Sequence, residues 1–227
     1  LEAYEGDKEA RSDWSSTYAE GLSLMGLKSE DRTEPFPGAS GVSHPLLAES
    51  VTQFQAQSYK ELFPAGGPVK TQIMGAPNPQ TEAQSKRVKQ FMNYQLTHVM
   101  EEYEPELDQM LFHLPLSGSA FRKIYFDDKL GRPVSKFVSS EDLVVPYDST
   151  DLTTCMRITH VIKMPANDVR KYQASGFYRD MELAEVYDNE SDEVQDKIDE
   201  LDGAKRVYTK DNIHTILEMH VDLDLPG

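Results

Sequence analysis

Apolar residues recur every three or four positions through much of the first half of the chain, and this spacing predicts helices. One such stripe predicts one or two helices within residues 1–27. It comprises Trp14, Tyr18, Leu22 and Met25. A second stripe predicts a helix over residues 45–63, with Ser43 and Pro45 as its start signal. The Pro- and Gly-rich run at 64–68 should end that helix abruptly.

Two further helices are predicted after a short strand at residues 69–74. The first should begin at Thr81, because Thr81 and Gln84 match a capping box, in which each side chain satisfies the other's free backbone N–H. Its apolar stripe, which we expect to be buried, comprises Val88, Phe91, Met92, Leu96 and Val99. The second helix should begin at Pro105 and stop at Pro115.

Alternating apolar and polar positions predict strands in the second half of the chain. Residues 120–147 have the pattern of a β-meander, with turn residues at Asp127, Asp128 and Gly131. Strands are also predicted at 157–164 and 210–223. Helices are predicted at 165–174, closed by Gly176, and at the strongly acidic residues 191–201. Because helices precede and interrupt strands that are joined largely by hairpins, we expect an α+β fold of long helices packed against antiparallel strands.

Composition narrows the classes of protein that fit. The 227 residues carry 39 Asp and Glu against 23 Lys and Arg, a formal net charge of -16. A surface that is acidic on balance disfavours a protein that grips nucleic acid through its phosphates. No run of 18 apolar residues is present, so we expect no membrane span. The single cysteine, Cys155, excludes an internal disulfide.

Candidate chemistry is sparse. No histidine lies in an HExxH helix or a Cys–His cluster, and the glycine pairs lack the lysine and hydroxyl of a phosphate-binding loop. Four potential metal ligands alternate along one face of the last predicted strand: His214, Glu218, His220 and Asp222. A half-exposed strand produces the same alternation without a metal. We therefore assign no catalytic, cofactor or metal site, and keep a metal-dependent hydrolase using His214 and His220 as an alternative.

Several blocks resemble the portal proteins of short-tailed bacteriophages. Residues 31–75 contain EPFPGASGVSHPLL and ELFPAGGPVKT, and residues 114–147 contain a helix–Gly–strand–hairpin–strand passage around GSAF and LGRPV. The run RITHVIKMPANDVRKYQASGFYRD at 157–180 and the final EMHVDLDLPG are also similar to the family. Together these blocks cover most of residues 28–227, in the order in which the family has them.

The resemblance implies a non-enzymatic structural protein of the virion. A portal is a ring, a dodecamer in this family, at one capsid vertex, through which DNA is packaged and ejected. The partners that the resemblance implies are other copies of the chain, capsid or scaffold proteins, terminase, a tail adaptor and passing double-stranded DNA, with no cofactor and no membrane. The implied location is the virion and, during assembly, the host cytoplasm.

The resemblance also implies a domain arrangement. Residues 1–30 would form a helical arm, and 31–227 the amino-terminal half of the wing domain with an acidic helical insertion near 188–203. We expect the stem, clip and crown to lie in further sequence outside this chain. The arm and the insertion match the family least.

A ring of identical subunits needs head-to-tail contacts, in which one patch meets a different patch of the neighbour. The long loop rich in Pro and Gly before the helix at 45–63 is our candidate for part of that surface. The candidate contact residues are Pro35, Phe36, Pro37, Gly38, His44 and Pro45. Packing of this loop on its own subunit is the alternative. A monomeric binding module with a wing-like fold is a further alternative for the whole chain.

Overall fold

The computed structural model describes residues 1–25, 36, 38, 44–128, 130–183, 197 and 213–222. Within them it has helices and antiparallel sheets, so the predicted α+β class is confirmed. The helices are α1 (Glu2–Ala10), α2 (Ser12–Met25), α3 (Leu46–Leu62), α4 (Pro79–Tyr94), α5 (Tyr103–Ser117) and α6 (Ala166–Ala174), with a π-helical segment (Gln95–Val99) directly after α4. The strands are β1 (Phe121–Asp127), β2 (Arg132–Val138), β3 (Leu143–Val144), β4 (Arg157–Pro165) and β5 (Ile213–Val221).

The chain divides into two compact units. Unit 1 contains residues 1–43 and 140–227, and unit 2 contains residues 44–139. None of the described helices is long and apolar enough to cross a bilayer. The predicted division into an arm at 1–30 and a wing domain at 31–227 stays a prediction. The predicted acidic helix at 191–201, and most of the loop at 28–43, lie outside the described residues.

In unit 2, helices α3 and α5 pack together beside a two-stranded hairpin, and the unit also contains α4 and the π-helical segment. Helix α5 lies between α3 on one side and β2 on the other. The buried side chains of its core are Val51, Met100, Leu107, Leu111, Val134 and Val138. Helix α5 ends at Gly118, which has a φ of 78°, and β1 begins three residues later. The hairpin turn uses Asp127, whose carboxylate accepts from Leu130 N and whose carbonyl accepts from the N–H of Gly131, at a φ of 63°.

Two carboxylates, one just before α5 and one within it, accept hydrogen bonds from backbone N–H groups on the unpaired edge of β2. The N–H groups of Ser135 and Phe137 point away from β1, the only strand with which β2 pairs among the described residues. Glu102 Oε1 accepts from Ser135 N at 3.3 Å, and Glu106 Oε2 accepts from Phe137 N at 2.7 Å. An unpaired strand edge exposes donors that must find partners. Here two acidic side chains, four residues apart, take the place of a third strand.

Unit 1 packs α1 and α2 with a three-stranded sheet of order β3–β4–β5 and helix α6. Its buried apolar side chains include Tyr18, Leu22 and Met25, as the spacing in α2 predicted, together with Val144 and Val169. Burial and the neighbouring Glu141 carboxylate raise the pKa of the Tyr18 hydroxyl well above its usual value.

Two arginines attach the N-terminal helices to the rest of unit 1. The Arg157 guanidinium of β4 makes two hydrogen bonds of 2.8 Å to the Asp7 carboxylate of α1. Arg11, between α1 and α2, donates to the backbone carbonyls of Ser140, Glu141 and Leu143. Because both arginines use several donors in a planar fork, these contacts fix orientation as well as proximity.

Four local predictions were wrong. Helix α5 passes through Pro115, where its end was predicted, and continues to Ser117. The capping box of α4 is formed by Asn78 and Thr81, not by Thr81 and Gln84, because the helix begins at Pro79. The expected strand at residues 69–74 is absent. The backbone N–H and carbonyl of Val69 are hydrogen-bonded to the Asn93 side chain and not to a neighbouring strand. The predicted meander is instead split, because β3 pairs with β4 and not with β2.

Candidate functional site

The residues predicted to contact a neighbouring subunit are described only in part. Phe36, Gly38, His44 and Pro45 are exposed. Pro45 stands immediately before α3, and Gly38 has a φ of 86°, a conformation that favours glycine. Pro35 and Pro37 lie outside the described residues. The aromatic ring of Phe36 is exposed, and the role of these residues in a subunit contact stays a prediction.

Two of the potential metal ligands of the last strand, Glu218 and His220, lie close to each other. His214, Glu218 and His220 alternate along β5 as predicted, and Asp222 follows the strand. The Glu218 carboxylate lies 3.4 Å from His220 Nε2 and 3.3 Å from Nδ1 of His160, its cross-strand partner on β4. Among the residues that the structure describes, no three His, Cys, Asp or Glu side chains are arranged to hold a metal ion. His160 could not be found from the sequence, because its position opposite Glu218 depends on strand register.

The thiol of Cys155 makes two hydrogen bonds among the described residues. Its Sγ lies 2.8 Å from the carbonyl oxygen of Arg157, to which it donates, and 3.1 Å from Ser149 Oγ. A nucleophilic cysteine needs a partner that stabilises its thiolate. The two hydrogen-bonding groups described here are a backbone carbonyl and a hydroxyl, which do not supply that charge.

The apolar stripe of α4 lies on the surface, which corrects the prediction that it is buried. Val88, Phe91 and Met92 are 42%, 62% and 45% exposed, and α4 has no buried residue. Leu96 and Val99, in the π-helical segment, are only half-buried. The helix makes its main contacts with the π-helical segment and with the irregular residues 69–71, not with the core around α5. An amphipathic stripe without a partner in the described part of its own chain marks a surface suited to binding.

An adjoining side of α4 is attached to residues 67–71. Asn93 Oδ1 accepts from Val69 N at 2.9 Å, and its Nδ2 donates to Val69 O at 3.2 Å. Ser85 Oγ donates to Thr71 Oγ1 at 2.8 Å. Gly67 has a φ of 88°, and a Cβ there would stand 2.4 Å from Asn93 Oδ1, so only glycine fits. The exposed stripe therefore belongs to a helix whose position is fixed by hydrogen bonds along an adjoining side.

Charge is unevenly distributed over unit 2. Helix α4 carries Lys86, Arg87 and Lys89 against one acid, Glu82, and all three cations are exposed. No hydrogen bond or ion pair of these three cations is found in the described part of the chain. The basic groups stand out because the chain as a whole has a net charge of -16.

Helix α5 carries the opposite charge. It has three carboxylates and no Lys or Arg. Glu104 accepts a hydrogen bond from the Tyr59 hydroxyl, and Asp108 accepts one of 2.8 Å from Gln55 Nε2. The bond to Glu104 raises the pKa of Tyr59 to about 12. Both donors are neutral, so the negative charges of Glu104 and Asp108 are not compensated by these contacts.

Comparison with known proteins assigns no family to the chain. No protein-family model matches its sequence, and no curated protein matches it. The function of the chain must therefore be inferred from its own surfaces. Unit 2 displays a basic helix with an exposed apolar stripe and, on another helix, an uncompensated acidic face.

Proposed function

We propose that this chain is part of a portal subunit, a structural protein of the virion that assembles into a ring at a capsid vertex. DNA would be packaged and ejected through the ring. The proposal is carried by the ordered blocks of sequence that resemble portal proteins of short-tailed bacteriophages, over most of residues 28–227.

The elements under those blocks support the proposal. The block EPFPGASGVSHPLL leads into α3, and ELFPAGGPVKT ends it. The passage around GSAF and LGRPV contains the end of α5, Gly118 and the β1–β2 hairpin. The later block, from Arg157, supplies β4 and α6. Within the described residues, these blocks thus coincide with the starts and ends of helices and strands.

The surface of unit 2 also supports assembly over catalysis. A helix with an exposed apolar stripe and two oppositely charged surfaces are features of a protein that contacts other protein surfaces. A ring made of one kind of subunit needs two different patches on each copy. Of the described histidines, His160 and His220 lie against the Glu218 carboxylate, and the Cys155 thiol donates to a backbone carbonyl.

The net charge bears on how DNA would pass. Acidic protein surface repels phosphates, so a duplex near it slides without being held. We propose that the acidic surface contributes to this free passage in the assembled particle. Exposed carboxylates replaced by lysine should slow packaging of DNA in an in vitro assay. Unchanged packaging would remove this part of the proposal.

Electron microscopy and native mass spectrometry test the proposal directly. The 227 residues and the complete natural protein that contains them should be purified side by side, and each should be shown to fold by circular dichroism. Closed rings of about twelve copies of the complete protein are the expected result. A complete protein that stays monomeric while folded would refute the portal function.

The hydrolase alternative predicts stoichiometric bound metal that is lost in the double variant H214A/H220A.

A further inference from the structure

The exposed stripe of α4 is flanked by positive charge. We define the α4 face as Val88, Phe91 and Met92 together with Arg87 and Lys89. The apolar positions are spaced by three and four residues and share one side of the helix, and Arg87 and Lys89 project on either flank of that side. An apolar centre with a charged rim is the usual anatomy of a protein interface. With about 200 Å² for a phenylalanine side chain, Phe91 alone leaves roughly 120 Å² exposed.

The surface that complements the α4 face is present in the same unit. We define the acidic face as Glu101, Glu104 and Asp108, which are spaced by three and four residues at the start of α5, with the exposed Leu62 of α3. Gln55 and Tyr59, which contact Asp108 and Glu104, lie seven and three residues before Leu62 and therefore on the same side of α3. This surface has the opposite charge of the α4 face and its own apolar side chain.

We propose that the α4 face of one copy docks on the acidic face of a second copy. The complementary charges select another copy of this chain as the occupant, because every copy carries both surfaces at different places. Contacts of this head-to-tail kind propagate from copy to copy and close into a ring. The inference rests on the proposed function in one respect, that the chain assembles into a ring, and it adds which surfaces meet.

Reversal of charge tests the docking. Variant A, R87E/K89E, makes the α4 face acidic, so that it is repelled by the acidic face of its neighbour. Variant B, E101K/E104K/D108K, makes the acidic face basic, so that it is repelled by the α4 face. Each variant alone should lose assembly. In an equimolar mixture, the acidic α4 face of variant A can dock on the surface that variant B has made basic. The basic α4 face of variant B can dock on the native acidic face of variant A, so assembly should return. Strict alternation of two variants closes only in an even ring, which a ring of twelve satisfies.

Controls separate docking from folding. The matched control R170E/R179E reverses two exposed cations of unit 1 and should assemble as the wild type does. Circular dichroism should show that every variant is folded; if loss of the Glu104–Tyr59 bond unfolds variant B, E101K/D108K replaces it. Phe91→Ala should weaken the affinity between copies by about 30-fold if the phenyl group fills a pocket of the neighbouring copy. Assembly of the wild type should also weaken in 1 M salt, where charges are screened over about 3 Å.

The outcomes distinguish this inference from the proposed function. Rings formed by variant A or B alone, as readily as by the wild type, overturn the docking and leave the portal function standing. A mixture that stays dispersed while both variants are folded also overturns it. Dimers or short chains of the wild type that disperse in variant A and re-form in the mixture support the docking and refute the ring. A wild-type complete protein that never associates refutes both.

Discussion

The side chain of Glu102 connects the start of α5 to strand β2, and its replacement gives the sharpest test of how unit 2 is stabilised. Arg132 Nη1 donates to both Glu102 carboxylate oxygens, at 2.9 and 2.8 Å, and Ser135 N donates to Oε1. The two charged side chains are 24% and 18% exposed. Pairs on an open surface contribute about 0 to 1 kcal/mol, and disruption of fully buried pairs costs about 3 to 5 kcal/mol.

This intermediate burial gives the expected magnitudes. Glu102→Gln keeps the size of the side chain and an acceptor for Ser135 N but removes the negative charge. We expect it to lower the free energy of unfolding by about 1 to 2 kcal/mol at pH 7, and Glu102→Ala, which also leaves Ser135 N without its acceptor, by about 2 to 3 kcal/mol. Glu101→Gln is the matched control, because Glu101 is exposed and has no ion pair in the described residues; its effect should stay within about 0.5 kcal/mol.

The pH dependence has a defined sign. Burial raises the pKa of Glu102, but hydrogen bonds from its own backbone, from Arg132 and from Ser135, with the Arg132 charge, outweigh burial and lower the pKa below its ordinary value of 4.5. A carboxyl whose pKa is lower in the folded state stabilises the fold fully above the unfolded pKa. That stabilisation is lost as the pH falls below about 4.5, through the lower folded pKa. The difference between wild type and Glu102→Gln should therefore shrink between pH 5 and pH 3.

Urea unfolding and hydrogen exchange measure this effect. Unfolding should be followed by far-UV circular dichroism at pH 7, 5, 4 and 3, together with amide exchange in peptides that cover β2. The single tryptophan, Trp14, lies in unit 1, and its fluorescence provides a separate reporter for that unit. The reasoning would be refuted by a Gln variant as stable as the wild type at pH 7. A difference of the same size at pH 7 and pH 3 would also contradict it, because the charge would then not be its source.

Three other predictions concern the attachment of α4, the first helix and the loop before α3. Gly67→Ala should destabilise unit 2 by about 1 to 3 kcal/mol in urea unfolding, because of its positive φ and the contact with Asn93. The double variant with Asn93→Ala should cost less than the sum of the two single changes, and strict additivity would disprove the clash. Asp7→Asn should lower the free energy of unfolding by about 2 kcal/mol at pH 7, because it weakens the two-bond pair with Arg157; a melting temperature equal to that of the wild type would contradict this. Phe36→Ala should weaken ring assembly by about tenfold if the loop contacts a neighbour, and normal rings in electron micrographs would remove the loop from the interface.

The sequence alone was sufficient for the class of the fold and for most element positions. Helices α1 to α3, α5 and α6 and strands β1, β2, β4 and β5 all lie where periodicity and breakers predicted them, within a few residues. Gly131 and Gly176 have the positive φ that the predicted turn and helix end required. These features are local: a turn or helix end is decided by the conformations that a few adjacent residues can adopt.

Tertiary structure decided what each element packs against. The apolar spacing of α4 is the same whether its stripe faces the core or another molecule, so the sequence could not show that Val88 and Phe91 are exposed. Strand β3 pairs with β4 across 12 intervening residues, and Glu218 meets His160 only through register. Glu102 and Glu106 have the sequence pattern of an ordinary charged helix start, yet they cap the edge of β2. Burial, strand pairing and edge capping depend on residues far apart in the chain, whereas hydrophobic spacing reports only that an apolar face exists.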